Sequence, residues 1–199
     1  MKKYTLFLSA LILMGTIVFS QEDEKKQEKK KMNPALLVID VQKEYLPMMS
    51  AEDQDLAIEM MNWSIWVFRK FDLPVIRVYH TDPEWGPKED SPGFAFHDSL
   101  KILPEDPMVI KTYPSSFTKT NLDEILKEKK VNTLFICGLS AVGCALSTYT
   151  DATSHDYKAF LVKDALLSHK EEYTDNIEEI FNAIDLETIM YMIEISQEK

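Results

Sequence analysis

The chain reads as one α/β domain built on a parallel sheet with helices on both faces. Three observations carry that expectation. Its β-rich runs are continuously apolar and do not alternate, as in strands covered on both faces. Helical patterns fall between several of these runs, which favours right-handed βαβ units. The stretch from Met32 to Lys199, 168 residues, suits a single domain with a real core.

Before that domain come two segments of another kind. Lys2 and Lys3 precede an apolar run from Tyr4 to Phe19, which ends at Ser20 before Gln21. A charged start, an apolar stretch and a small residue make a secretory signal over residues 1–20. The run is short of the ~20 residues that a spanning helix needs. Left uncleaved, it would act as a membrane anchor. Residues 21–31, QEDEKKQEKKK, are wholly polar and aperiodic and read as a disordered tether. The expectation is an exported, periplasmic protein cleaved near Ser20, with its domain at residues 32–199.

The strand candidates follow in order: ALLVI (35–39), LPVIRVY (73–79), MVI (108–110), TLFIC (133–137), AFLV (159–162) and TIMYMI (188–193). Residues 52–71 form a helix with Leu56, Met60, Trp63 and Val67 at three- and four-residue spacing. Met60, Met61, Trp63 and Trp66 exceed one buried stripe, so this helix offers a second apolar face for a homo-oligomer contact. Residues 121–130 give a short amphipathic helix. Ser168 and Glu171 have the capping-box spacing and open a helix to about Ala183. Residues 81–107 are proline-rich and lack a clear period, and loops of that length are usually functional or mobile.

Charge narrows the partners. The first 31 residues hold seven lysines and four acids, a surplus of three, so the chain's −11 becomes about −14 for the domain. Such a surface disfavours nucleic acid and anionic membrane. A small-molecule substrate is expected instead.

In open parallel sheets, ligands bind beyond the carboxyl ends of the strands. Asp40 ends the first strand, Lys111 ends the third, and Cys144 follows the fourth at the start of a helix. Singly each is ordinary: a turn former, a solvated amine, a packing thiol. Together they suit a cysteine nucleophile. A helix N-terminus and an ammonium lower a thiol pKa from ~8.5, and a carboxylate accepts the proton. The second cysteine, Cys137, lies within TLFIC and should be buried and inert. A disulfide needs Cα atoms within about 7 Å, which a strand and a helix turn would meet only by chance. No His or second acid stands at ligand spacing around the pair, so no metal is expected. Tyr45, Trp85 and Phe117 follow strands one to three and are candidates for substrate-pocket walls. His80 and His97 read as surface or structural residues.

These residues resemble the isochorismatase-like cysteine hydrolases, a family that includes nicotinamidases and N-carbamoylsarcosine amidohydrolases. ALLVIDVQKEYLP is similar to the family's opening strand, VIKTYPSSF to its lysine segment, and CGLSAVGCALSTYTDA to its cysteine turn. The resemblance runs from about Asn33 to Ile193. It implies a three-layer α/β/α domain with a six-stranded parallel sheet and a catalytic triad of Asp40, Lys111 and Cys144. It also implies a non-proline cis peptide at Leu139–Ser140 that aims the Ser140 and Cys144 amides at an oxyanion, and a homo-oligomer; no cofactor is expected. Ser116 stands where the family has Ala, Ala141 where it has Thr, and Ala145 where it has Val. No Asp-x-His pair occurs, which disfavours a nicotinamidase. Isochorismate-cleaving members lack the cysteine, which disfavours their reaction. The expected activity is hydrolysis of a C–N bond in a small amide or carbamoyl compound. The alternative is a catalytically silent binding protein of the same fold.

Overall fold

The computed structural model describes residues 31–84 and 86–198. The expected leader, the tether up to residue 30 and the Trp85 candidate lie outside the described residues. The elements run β1 (Pro34–Ile39), α1 (Ala51–Lys70), β2 (Val75–His80), β3 (Met108–Lys111), α2 (Leu122–Glu128), β4 (Thr133–Leu139), α3 (Leu146–Ser154), β5 (Lys158–Leu167), α4 (Glu171–Ile180) and α5 (Leu186–Gln197). Among the described residues the sheet has five strands, all parallel, in the order β3-β2-β1-β4-β5.

The expected sixth strand is a helix. TIMYMI lies in α5, where Asp185 caps the start by accepting from the Thr188 amide at 2.8 Å. Ile189 and Ile193, four residues apart, are the buried pair. Six apolar residues fit a strand or a helix equally well, and here the cap and the four-residue spacing decide.

The continuous apolar runs are explained by two cores, one on each face of the sheet. Leu36 and Val38 of β1 face Ile58, Met61, Ile65 and Phe68 of α1 and Ile189 and Ile193 of α5. Leu37 and Ile39 face the opposite way, with Leu122 and Leu126 of α2, Ala152 of α3 and Ile177 of α4. Burying each large aliphatic side chain contributes roughly 1.5–3 kcal/mol, so β1 alone anchors both layers. The buried stripe of α1 is turned from the expected one. Leu56 and Trp63 are exposed, while Met61 is fully buried. The expected capping box at Ser168 also does not form. Lys170 is the N-cap of α4, and the Ser168 hydroxyl instead meets the Ser140 hydroxyl at 3.2 Å.

Two local features set the strand ends beside the site. Gly138 has φ 108°, and a Cβ there would lie 2.1 Å from the Ile39 carbonyl oxygen, so β4 passes β1 where only glycine fits. The next peptide, Leu139–Ser140, is cis, as the resemblance implies. The chain order reverses between β1 and β4, which places the topological switch point where these two strands end.

Candidate active site

Four strands deliver one side chain each, or the turn after it, to that edge. Asp40 follows β1 at φ 53°, with its amide donating to the Val78 carbonyl at 2.9 Å. Lys111 and His80 are the last residues of β3 and β2 and sit in register with each other. After β4, a wide turn over Ala141–Ala145 carries Cys144, with Gly143 outside helical geometry, and regular helix begins only at Leu146. Cys144 therefore precedes the helix, where the expectation had it open one.

At the centre is a buried ion pair. The Lys111 ammonium donates to Asp40 Oδ2 at 2.7 Å, and the two side chains are 0% and 3% exposed. Burial pushes the Asp40 carboxyl above its usual range, and the Lys111 charge opposes that shift. Among the described residues Asp40 Oδ1 has no hydrogen-bond partner. The thiol behaves differently from the expectation. Burial, then the Asp40 charge, pushes Cys144 up to about 11, and Lys111 only partly offsets them. A desolvated thiol beside a carboxylate stays protonated at rest. Cys137 is fully buried, donates weakly to the Leu37 carbonyl at 3.4 Å and is held above its ordinary value by burial alone. Both cysteines are free.

His80 lies in this cluster and is not a surface residue, one of the two readings the sequence allowed. Its Nδ1 lies 3.2 Å from the Tyr45 hydroxyl, and its buried Nε2 has no partner among the described residues. Burial and the Lys111 charge lower its pKa, which keeps the ring neutral. Its backbone is clamped by Gln42, which donates to the His80 carbonyl at 2.9 Å and accepts from the His80 amide at 2.8 Å. The signal for His80 was available: it stands at a strand's carboxyl end, as Asp40 and Lys111 do. Donor atoms of Asp40, His80 and Cys144 lie within 4.8 Å of one another, a set that could hold a soft divalent ion. The Lys111 ammonium already supplies positive charge there and would oppose one.

The cluster floors a cavity of about 140 Å³ walled by Tyr45, Met48, Met49, Leu139 and Ser140. Tyr45 is thus where the sequence placed it. Phe117 is not: it is buried in the second core, stacked on His155 at 4.4 Å and near Tyr157 at 5.8 Å. A larger open groove of about 510 Å³ runs along α1 past Trp63 and Trp66, but it holds no thiol and no buried ion pair. The thiol and the buried ion pair are at the smaller cavity.

Comparison with known proteins agrees with the fold. The isochorismatase domain model matches residues 34–186. The uncharacterized isochorismatase family protein YddQ of Bacillus subtilis is 30% identical over 153 residues, 73% of this chain and 84% of that one. The ureidoacrylate amidohydrolase RutB of Agrobacterium fabrum is 32% identical over 72 residues, 36% of this chain and 32% of its own length. The crystal structure of N-carbamoylsarcosine amidase from Thermoplasma acidophilum superposes with a TM-score of 0.67 at 27% identity, covering 77% of this chain and 95% of that one. The chain belongs to the isochorismatase family of hydrolases.

Proposed function

We propose that the chain is a cysteine hydrolase that cleaves a C–N bond of a small amide or carbamoyl compound through an acyl-enzyme. One observation carries the reading: a buried Asp40–Lys111 pair beside a half-buried thiol at the floor of a small cavity. Names among its relatives, an amidohydrolase and an amidase, support the bond type.

The thiol is not a preformed thiolate, so the proton must leave as the bond forms. The Cys144 proton passes to the Asp40 carboxylate while Sγ attacks the carbonyl carbon. The Ser140 and Cys144 amides receive the developing oxyanion, each such donor being worth about 3 kcal/mol in a transition state. Lys111 balances the negative charge around the pair. Collapse of the tetrahedral species breaks the C–N bond, and the amine leaves with the proton from Asp40. Asp40, ionised again, takes a proton from water as the hydroxyl attacks the thioester. The acid departs, and the proton returns to sulfur.

A screen of small amides, ureido acids and carbamoyl compounds with ammonia release as readout tests this. Turnover that vanishes in Cys144→Ala is the expected result, and full turnover in that variant would contradict it. The second reading, a silent binding protein, is favoured by Ala141 in the turn, where the family carries a hydroxyl. It predicts saturable ligand binding without ammonia release.

A further inference from the structure

The geometry points to an uncharged substrate with a compact apolar acyl group, selected by the wall of Tyr45, Met48, Met49 and Leu139. This rests on the hydrolase reading above and narrows its substrate class.

The cavity of about 140 Å³ has room for about five water-sized groups at the ~30 Å³ that each takes in liquid. Its walls are aliphatic, thioether and aromatic, and methionines adapt to irregular apolar shapes. What matters most is charge. Lys111 is the one cation at the floor among the described residues, and its side chain is fully buried and donates to Asp40. The two arginines are committed elsewhere, Arg69 to Asp106 at 2.7 Å and Arg77 to the Pro104 and Asp106 carbonyls. His80 is kept neutral, so it adds no positive charge to the floor. Around Tyr45 the nearby charges are negative, since Glu44 and Asp82 stand close enough to act on it. A carboxylate entering this cavity would lose its hydration beside Asp40 and gain no counter-charge. An amide with an apolar acyl group loses little on entry and gains contact with the methionines.

Two alkylating reagents of nearly equal size test this directly on the full chain. Iodoacetamide is neutral and iodoacetate anionic, and both form the same thioether bond to Cys144 with loss of iodide. Rates at Cys144 are followed by peptide mapping, with glutathione in the same buffer as the reference thiol. The expected amide-to-acetate rate ratio at Cys144 is at least thirtyfold above the glutathione ratio. Met48→Lys, at a cavity position 57% exposed that tolerates a charge, should lower that excess at least fivefold. A Cys144 ratio equal to that of glutathione, or one favouring iodoacetate, overturns the proposal. An unchanged ratio in Met48→Lys overturns the assignment to this wall. Slow alkylation by both reagents is what a protonated thiol gives, and their ratio still decides the charge question; the hydrolase reading is decided separately, by ammonia release in the native chain and in Cys144→Ala.

Discussion

The Lys111 ammonium sits 2.7 Å from Asp40 Oδ2, joining the ends of β3 and β1 across 71 residues of sequence. Neither strand borders the other: β2 lies between them. The pair therefore ties β1 to β3 across the carboxyl end of β2. A buried ion pair of this kind is weak evidence for stability, yet breaking it is costly, because one charge is left uncompensated.

Lys111→Met should cost about 3–5 kcal/mol of unfolding free energy at pH 8. The pH dependence has a definite sign. Asp40 already has a raised folded pKa, so the folded state holds its proton to higher pH than the unfolded chain does. Without Lys111 that pKa rises further. The penalty is then full above the new value and shrinks as pH falls through it and Asp40 protonates. Urea unfolding at pH 8 and pH 5 measures the difference, and a loss that is equal at both would reject the buried-carboxylate explanation.

Asp40→Asn should lower two observables at once. Removing the base lowers turnover by about 10²–10⁴-fold. The same change removes a charge that raises the thiol pKa, while Lys111 remains to lower it. The alkylation midpoint of Cys144, about 11 in the native chain, should therefore fall. Iodoacetamide rates between pH 7 and pH 11 show whether the titration moves down in Asp40→Asn. A midpoint that stays put or rises in Asp40→Asn would remove Asp40 from the thiol's environment.

Gly138→Ala should destabilise the domain by about 3 kcal/mol or more, since the new methyl meets the Ile39 carbonyl at a positive φ. The effect should reach the site, because the residues after Gly138 lead into the turn that bears Cys144. Thermal unfolding checks the first part. A normal melting temperature would show that β4 can yield at this point.

Much of the site was legible because strand ends in a parallel sheet are where ligand chemistry collects. Asp40, Lys111 and Cys144 could be read from their places after LLVI, MVI and TLFIC. His80 obeys the same rule and was missed, since the LPVIRVY strand read as ending one residue earlier and a single His is ordinary. Its role depends on Tyr45, 35 residues away, and on a clamp from Gln42, and neither contact is local in sequence. The thiol's pKa was misjudged for a different reason. Helix start and lysine were visible as lowering influences, but the depth of burial and the nearness of Asp40 were not. Phe117 also follows its strand, yet His155 and Tyr157 draw its ring into the core. TIMYMI shows the limit of short apolar runs, where four-residue spacing and an Asp185 cap outweigh β-branched composition.

The central claim is that Cys144 carries the acyl group, and a generic acyl donor tests it without knowledge of the substrate. Purified chain is mixed with p-nitrophenyl acetate, and p-nitrophenolate release and intact mass are followed together. The account predicts a burst of one p-nitrophenolate per chain, one acetyl group mapped to Cys144, and loss of both in Cys144→Ala. A burst that survives in Cys144→Ala, or an acetyl group mapped to another residue, would contradict it.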